Sequence, residues 1–334
     1  MKSKIEIYNE DCMIGMRRIK DGSIDCVICD LPCGNMKGAK LDGWSEEDTI
    51  WDVQLNIKSL FQEYERILRC GGSLVLFSQE PYTSKLRTYK CNNIEFAYPL
   101  IWFKDHFANA LLAKKAPVSL FEDISVFYKK YDSQGLNPLR EYFFNVLEFI
   151  GLSLNEINKK IGDRSAEHCF YVKAKKEVVR QIGGSGDHVF RYGSRQFSLC
   201  TEETYKKIID LFHIEKMKGF IPYKDLLNIN KKFERTFNIP ENKHFVSNVL
   251  QFAKDKKNRL HPTQKPVSLI GKLMEIYSNE GDTVLDNCMG SGTTAVAAIQ
   301  LKRNFVGFEL QKKYFDLATK RIKSEKQQLN IFHV

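Results

Sequence analysis

The sequence predicts an α/β protein whose doubly wound, mostly parallel sheet is interrupted by an inserted, mainly helical region. Over roughly the first 130 residues, short apolar runs typical of strands alternate with helical patterns, and the same alternation returns over the last 75 or so. The segment between them is basic, aromatic and mainly helical in pattern. We therefore expect one α/β domain in two halves, 1–134 and 246–334, with an insertion at 135–245.

In the first half, Ile24–Cys29 is predicted to be a strand that ends at Asp30-Leu31-Pro32. Residues 51–69 have apolar residues at helical spacing, and Gly71-Gly72 is predicted to end that helix before a strand at Ser73–Phe77. Further strands are predicted at Phe96–Phe103 and Ile124–Tyr128.

The second half repeats the pattern, with a helix over about 266–279, a strand at Thr283–Leu285 and a glycine-rich turn. A helix from Thr293, a strand at Asn304–Phe308 and a final helix complete it. Within the insertion, Leu152–Gly162 is predicted to form the first helix and turn of a small helix-turn-helix-like unit.

The charge distribution leaves two interpretations open. The chain carries a net charge of +10, and between Lys129 and Arg259 there are 25 Lys and Arg residues against 16 Asp and Glu. This excess is expected either for binding to a polyanion or for a solvated basic face.

Composition also predicts the compartment. The nine cysteines are an odd number scattered along the chain, which favours reduced thiols over a disulfide framework. No apolar run approaches the roughly 18–20 residues of a membrane helix, and the first residues have no export signal. A cytoplasmic protein without a membrane partner is expected.

The second half contains the stronger chemical pattern. Asp286 ends a strand, and Gly290-Ser291-Gly292 turns the chain into a helix that begins at Thr293. Glycines let the backbone approach a ligand, and a helix start offers free N–H groups. The next strand ends at Glu309, and an acidic residue there suits the hydroxyls of a ribose. The pattern indicates a nucleotide-like cofactor, although GSGTT lacks the full GxGxxG pyrophosphate motif.

The first half offers a second candidate at Asp30-Leu31-Pro32-Cys33, directly after a strand. A carboxylate there can accept hydrogen bonds from an amino group. Taken alone, this segment is better explained by a simple Asp-x-Pro turn.

Together these segments resemble the DNA amino-methyltransferases, whose hallmarks are an Asp-Pro-Pro-Tyr tetrapeptide and a Phe-x-Gly-x-Gly loop. Here they read Asp30–Cys33 and Cys288–Gly292, and His261-Pro262-Thr263-Gln264-Lys265-Pro266 matches a third family element. Their order is similar to the permuted beta arrangement, and stretches such as Phe77–Tyr82 resemble phage and prophage adenine methylases. The resemblance covers nearly the whole chain.

The resemblance implies a sheet of the S-adenosyl-L-methionine-dependent methyltransferase type and an insertion that recognises double-stranded DNA. It also implies a homodimer by analogy and an association with restriction-modification. The implied cofactor-binding residues are Lys265, Asp286, Gly290, Ser291, Gly292, Thr293 and Glu309. Of these, Lys265 is expected to bind the carboxylate of the cofactor, and Glu309 is expected to bind its ribose. The implied catalytic residues are Asp30, Leu31, Pro32 and Cys33, with Asp30 and the Leu31 carbonyl accepting from the target amino group.

Cys33 departs from the family pattern because it replaces the aromatic residue that stacks on the flipped base. Three interpretations stay open: Trp44 or Phe107 supplies the stacking, the enzyme is inactive, or Cys33 is a nucleophile as in cytosine-C5 methylases. A zinc site at Cys26, Cys29 and Cys33 is disfavoured, because the first two lie on opposite faces of a strand.

We therefore expect methylation of N6 of adenine in duplex DNA, with N4 of cytosine as an alternative. Asp at position 30 favours adenine, because the tetrapeptide of the cytosine branch more often begins with Ser. A catalytically inactive DNA-binding protein and a methylase of RNA or protein are the competing hypotheses.

Overall fold

The computed structural model describes residues 3–34, 52–105, 114–115, 117–158, 175–176, 178–182, 188–240, 243–253 and 264–331. The chain divides into two compact units. The first combines Met1–Lys130 with Arg235–Val334, and the second is Tyr131–Glu234. The second unit therefore begins close to the predicted residue 135 but ends before the predicted residue 245.

The first unit contains an eight-stranded sheet with the order β1-β8-β7-β2-β3-β5-β4-β6. Its strands are β1 (Ile5–Tyr8), β2 (Ile24–Asp30), β3 (Leu68–Ser78), β4 (Ile94–Phe103), β5 (Phe121–Lys129), β6 (Val249–Gln251), β7 (Thr283–Asp286) and β8 (Asn304–Phe308). Among these strands β5 runs antiparallel to both of its neighbours, and the other pairs are parallel. The ends of β2, β3, β4, β7 and β8 and the start of β5 consequently meet at one edge of the sheet.

Helices cover both faces of this sheet, as predicted for a doubly wound fold. In chain order the helices are α1 (Cys12–Gly15), α2 (Ile57–Ile67), α3 (Tyr82–Thr88), α4 (Leu139–Asn158), α5 (Glu202–Phe212), α6 (Tyr223–Lys231), α7 (Val267–Tyr277), α8 (Thr293–Gln300) and α9 (Lys312–Ile331). Cys26 and Ile28 of β2 pack in a core with α7, α8 and α9. Val27 and Cys29 point the opposite way and pack with α2 and α3.

The start of β3 differs from the prediction. Helix α2 begins after Asn56, whose side chain caps the amide of Ser59 at 3.0 Å, and β3 follows immediately at Leu68. Gly71 and Gly72 therefore lie inside a strand and do not precede it. They form an irregularity in the pairing with β2, where Gly71 adopts φ +74° and a Cβ on Gly72 would lie 3.0 Å from two carbonyl oxygens.

The remaining predicted elements of the sheet are confirmed with small shifts of their ends, and β1 and β6 are strands that the sequence analysis missed. Both lie at the outer edges of the sheet, and β6 has only three residues. The predicted helix-turn-helix start at Leu152–Gly162 coincides with the end of α4, and its residues from 159 onward lie outside the described ranges.

The second unit contains α4, α5 and α6 and has a core of its own. Phe143, Val146 and Ile150 of α4 are buried with Tyr205 and Ile208 of α5. By sequence, Tyr131–Glu234 carries 17 Lys and Arg against 14 Asp and Glu. Most of the positive excess between Lys129 and Arg259 therefore belongs to the segments that flank this unit.

In the described part of the chain, no helix combines the length and apolar character that crossing a membrane requires.

Candidate active site

A cavity of about 480 Å³ opens at the sheet edge where β2, β7 and β8 end. Eight of the predicted site residues line it, namely Asp30, Pro32, Lys265, Asp286, Gly290, Ser291, Thr293 and Glu309. Ligands of open α/β sheets bind at this edge, beyond the carboxyl ends of the strands. The fold thus brings together segments from both halves of the sequence.

The glycine turn forms one wall of the cavity. Gly290 and Gly292 adopt φ values of +50° and +79°, which residues with a Cβ rarely adopt. A Cβ on Gly292 would also lie 3.0 Å from the Cβ of Ala318 in α9, so this glycine lies behind the cavity wall and permits close packing there. The amide of Met289 donates to the carbonyl of Phe308 at 2.9 Å and joins the turn to β8.

Asp286 lies at the end of β7 and is 4 % exposed. It accepts hydrogen bonds from the hydroxyl of Thr294 at 2.6 Å and the amide of Cys288 at 3.1 Å. Burial raises the pKa of Asp286 to about 6, and these donors partly oppose the rise. Asp286 therefore both supports the turn and presents a carboxyl group to the cavity.

Glu309 follows β8 and faces the same turn. Its carboxylate accepts hydrogen bonds from the backbone amides of Gly290 at 2.9 Å and Gln311 at 2.7 Å, which fixes its position. Burial raises the pKa of Glu309 to about 7, and these two donors counteract only part of the rise. The carboxyl group therefore titrates near neutral pH.

Ser291 and Thr293 are held by contacts on either side of the helix start. The Ser291 hydroxyl donates to the side chain of Gln264 at 3.2 Å, and the Thr293 hydroxyl accepts from Arg321 at 3.0 Å. These contacts join the turn to the segment before α7 and to α9.

Lys265 precedes α7 and forms a salt bridge with Asp30, with 2.5 Å between Nζ and Oδ2. Only 8 % of the Lys265 side chain is exposed, whereas 35 % of the Asp30 side chain is. Burial raises the pKa of Asp30, and the nearby ammonium of Lys265 opposes the rise. The salt bridge favours the ionised carboxylate, and the predicted contact between Lys265 and the cofactor carboxylate stays a prediction.

Two charged residues behind this pair were missed by the sequence analysis. Glu122 in β5 contacts Lys265 at 3.2 Å with one oxygen and Lys104 at 3.2 Å with the other. Burial would raise the pKa of Glu122, but the two lysines hold it below its ordinary value. No motif marks these positions, because their pairing depends on how β4, β5 and the segment before α7 meet.

The rest of the tetrapeptide packs behind Asp30. Leu31 is 2 % exposed, and its amide donates to the carbonyl of Phe77 at 3.3 Å. The Cys33 thiol donates to the carbonyl of Leu31 at 3.3 Å and accepts the amide of Gln79 at 3.3 Å. Burial raises the pKa of Cys33 to about 12, which keeps the thiol protonated at neutral pH and disfavours the nucleophile hypothesis.

Other residues named in the sequence analysis lie outside the described ranges. They are Trp44 and Phe107, suggested as substitutes for the stacking aromatic, and His261-Pro262-Thr263 of the third family element.

Comparison with known proteins identifies the family. A family model described as DNA methylase, covering the N6/N4 methyltransferases, matches residues 24–320. The chain belongs to the N6/N4 DNA methylase family. This confirms the family resemblance inferred from the tetrapeptide, the glycine loop and the element at 261–266.

The type II methyltransferase M.HindIII of Haemophilus influenzae is 22% identical over 361 aligned positions, which cover 96% of each chain. The type II methyltransferase M.BglI of Bacillus subtilis is 45% identical over 69 residues, which are 21% of this chain and 20% of the relative. The crystal structure of the M1.HpyAVI–SAM complex aligns with 95% of this chain and 99% of its own, with a TM-score of 0.50 and 19% identity. That likeness confirms the α/β fold.

Proposed function

We propose that this member of the N6/N4 DNA methylase family transfers a methyl group to N6 of adenine in a specific sequence of duplex DNA. The observation that carries the proposal is the position of Asp30 at the rim of a cavity formed by the glycine turn, Asp286 and Glu309. A carboxylate that can receive an amino group thus lies beside a pocket suited to a nucleoside.

The cofactor is S-adenosyl-L-methionine, which supplies a methyl group on a positively charged sulfur. The residues present fit it, because about 480 Å³ lies within the usual range for small-molecule sites. The fixed Glu309 carboxylate can accept from the ribose hydroxyls, and the turn at Gly290–Thr293 lets the backbone come close to the ligand. Asp286 and Lys265 complete the polar part of the wall.

Asp30 would accept hydrogen bonds from the target amino group and direct the nitrogen lone pair toward the cofactor. Its Oδ2 is bound by Lys265, and among the described residues no donor contacts Oδ1. No bond between protein and base is required, so the protein acts mainly by positioning its substrates. The target base must leave the duplex to reach this site.

The identity of the base rests on Asp30, since the cytosine-N4 branch more often has Ser at this place in the tetrapeptide. Methylation of cytosine N4 by the same geometry is therefore the alternative product.

A second candidate function is DNA binding without catalysis, and Cys33 is the observation that favours it. Stacking of a base on an aromatic side chain contributes roughly 1–3 kcal/mol, and Cys33 offers no ring. Capture of the flipped base would then weaken by about one to two powers of ten.

The DNA contacts are part of the same proposal. We assign target recognition to the insertion predicted at 135–245, and much of the phosphate binding to the basic segment between Arg235 and Arg259, which carries six Lys and Arg against two acidic residues. Formation of a homodimer and pairing with a restriction enzyme also belong to the proposal.

The test is transfer of labelled methyl from S-adenosylmethionine to mixed-sequence duplex DNA, followed by mass spectrometry of the nucleosides. The proposal predicts N6-methyladenine. N4-methylcytosine would establish the alternative base. The absence of any product, with cofactor and DNA binding retained, would favour the non-catalytic candidate, and recovery of activity in Cys33→Tyr would then identify the missing ring as the cause.

A further inference from the structure

Four side chains of alternating charge form a continuous row at the active edge of the sheet. Asp30 ends β2, Lys265 precedes α7, Glu122 is the second residue of β5, and Lys104 directly follows β4. Successive Nζ–O distances along the row are 2.5, 3.2 and 3.2 Å. The row therefore begins at the proposed acceptor of the target amino group and leads away from the cavity.

Asp30, at the cavity end of the row, is 35 % exposed, and the side chain of Lys265 behind it is only 8 % exposed. Asp30 and Lys265 line the cavity, whereas the side chains of Glu122 and Lys104 are 14 % and 3 % exposed and do not contribute to its wall. A buried charge is costly unless it is paired, and Asp30 alone would already neutralise Lys265. Glu122 in turn neutralises the buried Lys104, so the contact between Glu122 and Lys265, which joins two already balanced pairs, calls for an explanation beyond charge balance.

The geometry of Glu122 supplies that explanation. Both of its oxygens are engaged, Oε2 with Lys265 and Oε1 with Lys104, so the carboxylate is held between the segment before α7 and the end of β4. It contacts the same Lys265 ammonium that binds Asp30, and this second contact limits the positions that the flexible lysine can take. Lys265 then contacts Oδ2 of Asp30, and no donor from the described ranges occupies Oδ1.

We propose that Glu122 is a positioning residue for methyl transfer, which fixes Lys265 on one oxygen of Asp30 so that the other oxygen can receive the target amino group. This inference rests on the proposed function of the site. Glu122 has a second effect on the same step, because its negative charge offsets that of Lys265. Asp30 therefore keeps more of its negative potential toward an amino group that becomes positively charged as it is methylated.

Among the described residues, the charged and titratable groups that interact electrostatically with Asp30 are Lys265, Glu122, Asp52, Asp286 and the thiols of Cys29 and Cys33. Among the groups that act on the pKa of Asp30 itself, Glu122 and Asp52 raise it and Lys265 lowers it. Loss of the Glu122 charge should consequently shift the titration of Asp30 to lower pH. Replacing a carboxylate whose charge does not act on Asp30 would leave this titration unchanged.

The experiment compares the full-length wild type with Glu122→Gln and Glu122→Asp, and uses Glu95→Gln as a matched control. Glu95 lies in the neighbouring strand β4 and forms an exposed ion pair with Lys130. We expect kcat of Glu122→Gln to fall about 10- to 100-fold, as for other small losses of alignment, with KM for S-adenosylmethionine changed by less than about twofold. Glu122→Asp should recover part of kcat, and Glu95→Gln should equal the wild type.

The second readout does not depend on activity. The side-chain carboxyl resonance of Asp30 in protein with ¹³C-labelled aspartate, assigned by its loss in Asp30→Asn, should titrate at lower pH in Glu122→Gln. The inference would be overturned if Glu122→Gln and Glu95→Gln had the same kcat and the same pH midpoint for the titration of Asp30.

If Glu122→Gln does not fold, Glu122→Asp decides, since an unchanged kcat and Asp30 midpoint in that variant would also overturn it. If the wild type methylates no DNA, the proposed function fails. The Asp30 titration then still shows whether Glu122 controls this carboxylate.

Discussion

The pH dependence of cofactor binding should report directly on Glu309. Burial raises the pKa of Glu309 to about 7 in the free protein, although the amides of Gly290 and Gln311 favour its ionised form. If this carboxylate accepts the ribose hydroxyls, binding requires the ionised form. The carboxyl group is protonated below its pKa and ionised above it, so affinity should rise as pH rises through 7.

The size of the effect follows from the ionised fraction. With a pKa of about 7, roughly one-tenth of Glu309 is ionised at pH 6 and roughly nine-tenths at pH 8, so the apparent Kd should fall about tenfold over this interval. Glu309→Gln keeps the shape and an acceptor for Gly290 but loses the charge. A hydrogen bond to a charged group contributes about 1.5–3 kcal/mol, so at pH 8 this variant should bind roughly 10- to 150-fold more weakly.

Isothermal titration of S-adenosylmethionine into both proteins at pH 6, 7 and 8 measures this. The α-amino group of the ligand titrates near 7.7–8.0, and Asp286 near 6, but both contribute almost equally to the two proteins. The ratio of the two Kd values therefore isolates Glu309, and it should be about ten times larger at pH 8 than at pH 6. A ratio that stays constant with pH would refute the assignment of the ribose to Glu309.

Three further outcomes are expected. In chemical denaturation, Gly292→Ala should lower the free energy of unfolding by more than Gly281→Ala. Both glycines have positive φ, which costs a residue with a Cβ about 1–2 kcal/mol. Only at Gly292 would the added Cβ also contact Ala318, at 3.0 Å. Equal losses would contradict the close packing of the turn. The wild type should form no covalent DNA adduct through Cys33, since that thiol is protonated at neutral pH, and Cys33→Ala should retain methyl transfer; complete loss of transfer would revive the nucleophile hypothesis. DNA affinity should fall with salt, with a log–log slope of about −0.9 per phosphate contacted, and a slope near zero would contradict phosphate binding by the basic segments.

Much of the site could be predicted because it follows strand ends. Asp30, Asp286 and Glu309 each come at or just after a short apolar strand, and parallel strands bring their carboxyl ends to one edge. The glycine turn added a local signal that needed no knowledge of distant contacts. Each of these signals lies within a few consecutive residues, so the sequence alone indicated it.

The charge row could not be predicted in this way. Glu122 is the second residue of a strand that runs antiparallel to its neighbours, and its partners Lys104 and Lys265 belong to two other segments. Gly71-Gly72 misled for a different reason: the pair is typical of a helix end, whereas here it occupies an irregularity inside β3. Both outcomes depend on tertiary pairing, which local patterns do not specify.

Asp30 is proposed to accept the target amino group at the edge of a cofactor cavity that is lined mainly by other residues. The most direct measurement is S-adenosylmethionine binding and methyl transfer to duplex DNA by the wild type and Asp30→Asn in parallel. We predict that both proteins bind the cofactor with similar affinity, and that Asp30→Asn transfers methyl at least about 100-fold more slowly. Transfer by Asp30→Asn at the rate of the wild type would contradict the account.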